Sequence, residues 1–208
     1  MTIQHAKQLV AEVAKRAFDA KLFAGTSGNL SICLREEGVV AITPSSIRYE
    51  TMTADDIVLI DLEANVIEGK HKPSSEHLLH LAFYNANPAV NSVVHTHSPY
   101  ATAFAVNHKP IPLILLEMVP FLGGEVPVTP MERPGTPEVG IGAVDAIGDK
   151  TACLLGNHGV VAIGKDIEQA YIRAEYVEDA AQIAILAHQN GEVNRVPEEM
   201  ERRMKEGR

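Results

Sequence analysis

The sequence predicts a protein of the α/β class. Two long segments carry apolar residues at helical spacing, at residues 3–23 and 166–190, and shorter helical patterns occupy residues 73–85 and 137–148. Between these segments lie short runs of alternating or continuous apolar residues, bounded by glycine, proline and polar turns. Such runs are typical of strands. Helical and strand segments are therefore interspersed along one chain.

Length and composition indicate one globular domain that spans residues 1–208. A chain of this length buries a sizeable core without disulfides. Apolar residues make up 46% of the chain and charged residues 22%, as in ordinary globular proteins. No repeat, linker or low-complexity run divides the sequence.

Charge and cysteine usage limit the classes of partner and compartment. The net charge of −9 argues against a nucleic-acid surface, which needs clustered lysine and arginine. A phosphorylated small molecule remains compatible, because backbone N–H groups and hydroxyls can bind it. Cys33 and Cys153 have no metal-site spacing, so we expect a reduced, cytoplasmic protein. The chain shows no apolar signal region and no run approaching about 20 apolar residues, so we expect no membrane contact.

The first half of the chain is expected to form two hairpins after the first helix. The glycine-rich segment at residues 25–31 leads into strands at 30–34 and 39–42, and the second hairpin covers residues 57–61 and 62–72. Glycines combined with hydroxyl and amide side chains can bind an anion. An ordinary turn has the same composition, so both interpretations stay open here.

Residues 73–76, with the sequence PSSE, open the next predicted helix. Serine at a helix start is usually a capping residue, and the same holds for an acid such as Glu76. The free N–H groups of the first turn also suit a phosphate, and the helix dipole favours the ionised form of Glu76. His77 and His80 lie on this helix, and we interpret both as packing or surface residues.

The chemistry of the chain is concentrated at residues 92–98, with the sequence SVVHTHS. Alternate side chains of a strand point to the same face, so His95 and His97 would form half of a metal site. Zinc prefers a tetrahedral set of four ligands, and the candidates for the other two are Glu76 and His158. The alternative is that the strand histidines are ordinary surface or core residues and that His158 is a loop residue.

The second half is expected to contain four strands, three helices and a charged end. Residues 119–124 resemble an active-site or subunit-contact loop, Arg133 is interpreted as a solvated residue, and residues 198–208 are expected to fray. The predicted elements are a helix at 100–106, a strand at 111–116, an edge strand at 126–128, a helix at 137–148, strands at 151–155 and 160–164, and a helix at 166–190.

Five short segments stand out along the chain. They are GTSGNLS at 25–31, TPSS at 43–46, PSSE at 73–76, HTH at 95–97 and GNHG at 156–159. In order and spacing they resemble the class II aldolase/epimerase family. The resemblance implies a three-layer α/β/α sandwich around a central mixed, mostly antiparallel sheet. It also implies a homotetramer with active sites between subunits.

The resemblance further implies a role for each matched residue. His95, His97 and His158 would bind one Zn²⁺ per chain, with Mn²⁺ and Co²⁺ as alternatives. Glu76 would be the fourth ligand and, once substrate arrives, the acid/base. The phosphate of the substrate would be held by the remaining matched positions, which are Gly28, Asn29, Ser45, Ser46, Ser74 and Ser75.

Two departures from the family pattern refine the expected activity. Epimerases of the family carry aspartate where this chain has Glu76, which favours an aldolase. The catalytic tyrosine of fuculose-phosphate aldolases falls in the segment equivalent to residues 111–118, which has no tyrosine, and Glu117 is a possible substitute. The C-terminal tyrosine of those enzymes also has no counterpart, since the last tyrosine here is Tyr176.

The expected function is therefore a zinc-dependent aldolase. It would cleave a ketose 1-phosphate, such as L-fuculose 1-phosphate or a related deoxy or methylthio pentulose phosphate, to dihydroxyacetone phosphate and an aldehyde. The alternatives are a family dehydratase, decarboxylase or 4-epimerase of a sugar phosphate. A non-enzymatic homologue, of the kind found in adducins, is disfavoured by the intact Glu76 and three histidines.

Overall fold

A seven-stranded sheet forms the centre of the protein in a computed structural model that describes residues 1–207. The strands are β1 (Asn29–Leu34), β2 (Val39–Ile42), β3 (Val58–Asp61), β4 (Val66–Glu68), β5 (Ser92–Thr96), β6 (Ala152–Leu155) and β7 (Gly159–Gly164). The helices are α1 (Ile3–Asp19), α2 (His77–Ala86), α3 (Pro99–Val106), α4 (Met118–Leu122), α5 (Pro137–Ile147), α6 (Ile167–Asn190) and α7 (Glu198–Glu206). Short 3₁₀ turns lie at Tyr49–Thr51 and Ala54–Asp56.

The strands follow the order β4-β3-β2-β1-β5-β7-β6, and each neighbouring pair is antiparallel. The parallel element is an isolated bridge between Val128 and Leu154. The predicted sandwich around a mostly antiparallel sheet is therefore confirmed.

Two apolar cores, one on each face of the sheet, make up the outer layers of the sandwich. Side chains of α1, α3, α4 and α6 pack on one face, and those of α2 and α5 pack on the other. Successive strand residues alternate between the cores: Leu30 and Ile32 join the first, and Cys33 joins the second. Because both faces are covered, the central strands are apolar throughout instead of alternating with polar residues.

Helix α6 lies close to the sheet because its contact face is made of small residues. Ala170, Ala174 and Ala181 are fully buried there. A Cβ atom on Gly164, at the end of β7, would lie 2.6 Å from the backbone nitrogen of Ala170. Glycine is therefore required where β7 turns into the helix.

The predicted strand at residues 111–116 is wrong. Ile111 makes a single isolated bridge with Val126, and Pro112 has no N–H with which to extend a ladder. Residues 118–122 form the short helix α4 where we expected a loop, and the predicted edge strand at 126–128 is reduced to isolated bridges at Val126 and Val128. Apolar content alone did not distinguish core-packed coil and helix from strand.

The charged end is also more ordered than expected. Residues 198–206 form helix α7, which is held by ion pairs at a spacing of three or four residues. These pairs join Glu199 to Arg202 and Arg203, and Glu201 to Lys205. Such pairs support an exposed helix in which no residue is buried. Within residues 1–207, no helix is both long and apolar enough to cross a membrane.

Candidate metal centre

Four predicted metal ligands converge at one end of β5. Glu76, His95, His97 and His158 each offer one nitrogen or oxygen atom, and these atoms all lie within 4.8 Å of one another. His95 lies in β5 and His97 just beyond its end, Glu76 immediately precedes α2, and His158 lies in the turn between β6 and β7. Residues separated by more than 60 positions along the chain thus form one cluster, as the sequence predicted.

The ring of His95 is oriented by the neighbouring strand. Its Nδ1 lies 2.8 Å from the carbonyl oxygen of Val160. A carbonyl oxygen only accepts, so Nδ1 carries the proton and Nε2 of the neutral ring has a free lone pair. That Nε2 atom lies 2.9 Å from Nε2 of His97 and 3.0 Å from Oε2 of Glu76.

This geometry fits a cation among the four side chains. A lone pair of neutral His95 would face a carboxylate oxygen and another imidazole nitrogen at hydrogen-bond distance, which is repulsive unless positive charge lies between them. The other carboxylate oxygen, Oε1 of Glu76, is buried and 3.1 Å from Nε2 of His158, without the geometry of a hydrogen bond. Three imidazoles and one carboxylate are ligands that Zn²⁺ accepts in a four-coordinate site.

The titration of the cluster without a metal supports the same conclusion. Burial alone would raise the pKa of Glu76, but interactions with His95 and His158 outweigh it and hold that pKa well below its ordinary value. Burial lowers the pKa of His95, but the Glu76 charge outweighs it and raises the pKa overall. Burial, with the charges of His95 and His158, lowers the pKa of His97 to about 3. The carboxylate thus draws a proton to the position that fits a metal.

Glu76 is not the helix cap that the alternative interpretation required. It occupies the N-cap position of α2, one residue before the helix begins, and its side chain makes no capping hydrogen bond. Its backbone N–H donates instead to Oγ of Ser74 at 3.2 Å. The carboxylate is free to face the histidines, and only 8% of the residue is exposed to solvent.

The predicted phosphate-binding loops lie beside Glu76. The backbone N–H of Ser74 donates to Thr43 and that of Ser45 donates to Lys72, so the 43–46 and 72–75 segments run together. Asn29 Nδ2 donates to Oε2 of Glu76 at 2.9 Å, which brings the start of β1 to the same place. Ser46 and Ser75 are exposed to solvent. The structure thus gathers the three loops, while their role in phosphate binding stays a prediction.

Gly28 has a structural reason for its place in the first loop. Its φ of +82° lies in the left-handed region, and a Cβ atom there would come within 2.4 Å of the Phe23 ring. Its carbonyl oxygen accepts a hydrogen bond of 2.5 Å from the hydroxyl of Tyr49. Glycine is therefore needed to turn the chain into β1 and to set Asn29 against Glu76.

The interpretation of His80 as a mere packing or surface residue is incomplete. The side chain is fully buried, and both of its ring nitrogens are hydrogen-bonded, to Ser31 and to Asn29. The signal in the sequence was its spacing of four residues from Glu76, which places both at the same side of one helix. Ser31 and Tyr84, the next members of this buried network, carried no comparable signal.

Two other candidates occupy different positions. Arg133 is exposed to solvent, as expected, and it lines a surface depression of about 300 Å³ together with His158. Glu117, the proposed substitute for the missing tyrosine, lies at the N-cap of α4. Among the described residues, the four-ligand cluster does not include it.

The sequence profile described as "Class II Aldolase and Adducin N-terminal domain" matches residues 8–185. The chain belongs to this family. The resemblance inferred from the five short segments is thereby confirmed.

The proteins to which this chain is similar include both aldolases and an epimerase. A 5-deoxy-D-ribulose 1-phosphate aldolase of Bacillus thuringiensis serovar kurstaki is 37% identical over 199 residues, covering 96% of this chain and 93% of the relative. An L-ribulose-5-phosphate 4-epimerase, UlaF, of Salmonella paratyphi B is 34% identical, covering 85% of each chain. A solved L-fuculose 1-phosphate aldolase superposes with a TM-score of 0.93 at 35% identity, covering 98% of this chain and 95% of that one.

Proposed function

We propose that this protein is a metal-dependent aldolase that cleaves a ketose 1-phosphate to dihydroxyacetone phosphate and an aldehyde. The observation that carries the proposal is the convergence of Glu76 with His95, His97 and His158 in a chain of the class II aldolase family. The candidate substrates are 5-deoxyribulose 1-phosphate and L-fuculose 1-phosphate. Both are phosphates of deoxy sugars, and both are the substrates named for relatives that are similar to this chain.

The proposed reaction needs one proton to move and one carbanion-like charge to be stabilised. The C3–C4 bond of the ketose breaks, the C4 hydroxyl loses its proton as the aldehyde carbonyl forms, and C3 gains a proton. A bound divalent cation would supply positive charge beside the oxygens of the ketose. We assign Glu76 to carry this proton: its ionised carboxylate, which lies within the cluster, would accept the proton that leaves the C4 hydroxyl and deliver it to C3.

The phosphate of the substrate is assigned to the three loops beside Glu76. It would be held by hydroxyl and amide side chains, and by backbone N–H groups not already used between the loops, at Gly28, Asn29, Ser45, Ser46, Ser74 and Ser75. No arginine or lysine is required for this, because backbone and hydroxyl donors alone can form a phosphate site. Anchoring at C1 would set the reacting carbons at a defined distance from Glu76.

Zinc is the metal that we propose, at one ion per chain. Three histidine nitrogens and one carboxylate oxygen make a donor set that Zn²⁺ accepts readily, and Mn²⁺ and Co²⁺ remain alternatives. We also propose a cytoplasmic homotetramer. A neighbouring subunit would then supply groups that this chain lacks at the aldehyde end of the substrate. Within each chain, Glu117 is the candidate substitute for the missing catalytic tyrosine.

A second candidate function is a 4-epimerase, because the UlaF epimerase is 34% identical to this chain. Glu76 stands against it, since the family's epimerases resemble this pattern but carry aspartate there. The decisive experiment incubates the metal-loaded protein with a panel of ketose 1-phosphates and with L-ribulose 5-phosphate. Release of dihydroxyacetone phosphate supports the aldolase. Conversion of L-ribulose 5-phosphate to its C4 epimer, without release of dihydroxyacetone phosphate, would show that the protein is an epimerase and not an aldolase. Inactivity on the whole panel would contradict both functions.

A further inference from the structure

A chain of buried hydrogen bonds leads to Glu76 from residues of α2 and of β1. The hydroxyl of Tyr84 lies 2.5 Å from Oγ of Ser31, and that Oγ lies 2.7 Å from Nδ1 of His80. Nε2 of His80 lies 2.5 Å from Oδ1 of Asn29, whose Nδ2 lies 2.9 Å from Oε2 of Glu76. All five residues are less than a tenth exposed.

The chemistry of Glu76, Asn29 and His80 leaves one arrangement of protons among these three groups. An ionised carboxylate only accepts, so Asn29 must present its NH₂ group to Glu76 and its carbonyl oxygen to His80. Nε2 of His80 must therefore carry a proton. Burial is the main cause that lowers the pKa of His80 to about 3, so the ring is neutral and Nδ1 is an acceptor.

The protonation of His80 also fixes the role of the Ser31 hydroxyl. Ser31 donates its hydroxyl proton to Nδ1 of His80 and accepts the proton of Tyr84. The Tyr84 hydroxyl is also 3.1 Å from the backbone oxygen of Ser31, which can only accept. The single proton of Tyr84 is therefore shared between these two acceptors, while the donors of Ser31, His80 and Asn29 each point toward Glu76.

We infer that His80 is a positioning residue whose Nε2–H fixes the amide of Asn29, so that the amide donates to Glu76. Without that donor, rotation of the amide by half a turn would bring Oδ1 against the Glu76 carboxylate. Two oxygens that both accept would then repel each other. The carboxylate would lose its defined place relative to His95 and His158, and metal binding and proton transfer would both weaken.

This inference rests on the proposed function for its catalytic consequence, but its metal-binding consequence does not. Two variants separate donation by His80 from its packing. His80→Gln places an amide nitrogen near the position of Nε2 and keeps a donor for Asn29. His80→Met fills a similar volume without a donor.

The experiment measures zinc affinity by competition with a chelator, and then kcat and KM on the ketose 1-phosphate that the parent cleaves best. We expect His80→Met to lose 10- to 100-fold in zinc affinity and a similar factor in kcat, the range found for residues that orient metal ligands. His80→Gln should recover most of both. Equal loss in the two variants, or no loss in His80→Met, would overturn the inference.

A measurement on the unmodified protein guards against misfolded variants. Nitrogen-15 NMR of the histidine rings distinguishes protonated from unprotonated ring nitrogens. We expect His80 to be neutral with the proton on Nε2, and the opposite tautomer would overturn the inference whatever the variants do. If the parent cleaved no ketose phosphate while this tautomer and the affinity pattern held, the proposed function would fail and the positioning role would stand.

Discussion

His95 donates its Nδ1 proton to the carbonyl oxygen of Val160 at 2.8 Å, and this hydrogen bond decides which ring nitrogen faces Glu76. The two residues come from β5 and β7, whose antiparallel register places Val160 opposite Thr96, the residue after His95. The sheet itself therefore orients the central ligand of the candidate metal site. A ligand held in this way needs little rearrangement when a cation binds.

The first prediction concerns metal content. The purified protein should contain about one divalent ion per chain, and His97→Ala should lose most of it because one of the three imidazole ligands is removed. Elemental analysis of both preparations is the measurement. His188→Ala is the matched control. That histidine is exposed on α6, so the variant should retain its metal. Equal metal in His97→Ala and the control would contradict the assignment.

The second prediction concerns metal removal and stability. A ligand that binds only the folded protein stabilises it, by about 4 kcal/mol at a thousand times its dissociation constant. Chelation should therefore lower the midpoint of thermal unfolding, and added Zn²⁺ should restore it. His97→Ala should respond weakly to either treatment. A parent midpoint that is indifferent to both chelator and zinc would show that the four ligands do not hold an ion.

The third prediction concerns Glu76 in the proposed reaction. Glu76→Gln keeps the shape but removes the proton acceptor, so turnover should fall by roughly 10²–10⁴ while the three histidines retain most of the metal. Glu76→Asp keeps the charge with a shorter reach and should retain metal but lose much of the rate. Zinc content and kcat are measured on the same preparations, with Glu117→Gln as the comparison. A near-parent rate in Glu76→Gln would show that another group moves the proton, and Glu117 would be tested next.

The fourth prediction concerns the phosphate loops. Ser75 is exposed and its substitution should not disturb folding, so Ser75→Ala should raise KM for the ketose 1-phosphate by about 10-fold and change kcat little. Inhibition by inorganic phosphate should weaken in parallel. Asn29→Ala is less informative, because Asn29 also contacts Glu76 and His80. A loss confined to kcat in Ser75→Ala would count against phosphate binding there.

The fifth prediction concerns stability and pH at a site away from the metal. Burial raises the pKa of Asp56, but hydrogen bonds and charges from Lys70, Thr53 and His71 outweigh it and lower that pKa overall. The stabilisation is therefore present above the unfolded pKa of about 3.9 and is lost as the pH falls toward the folded value.

Asp56→Asn should accordingly destabilise the protein by about 1 kcal/mol at pH 7, because it removes the ion pair with Lys70 and the charge that strengthens the hydrogen bonds from Thr53. The difference from the parent should shrink below about pH 4. Urea unfolding at several pH values is the measurement, and Asp55→Asn, an exposed acid in the same turn, is the control. A deficit that does not change between pH 7 and pH 3 would exclude the ionic origin.

Local pattern was enough to predict several parts of the protein. Strand alternation placed His95 and His97 on one side, and helical spacing located α1 and α6 to within a few residues. Five short segments indicated the family, the fold and all four residues of the candidate metal cluster. These features depend on residues that are close together in one strand, helix or turn, so they can be recognised from short stretches of sequence.

Other features were decided by contacts between distant segments. The apolar run after Ile111 packs into the core as coil and as α4, because Pro112 removes a ladder donor and apolar side chains can be buried from coil and helix as well as from strands. The charged tail is helical through pairs such as Glu199 with Arg203. Neither outcome is fixed by hydrophobic pattern alone.

The same division runs through the site. The sequence by itself determined which residue types are present at which spacing, and this was enough to name Glu76 and the three histidines. Only the tertiary structure decided that His80 is buried against Asn29, and that Asn29 in turn meets Glu76. Those contacts join β1 to α2 across about 50 residues, and hydrogen-bond partners at that separation are set by how the sheet and its helices pack.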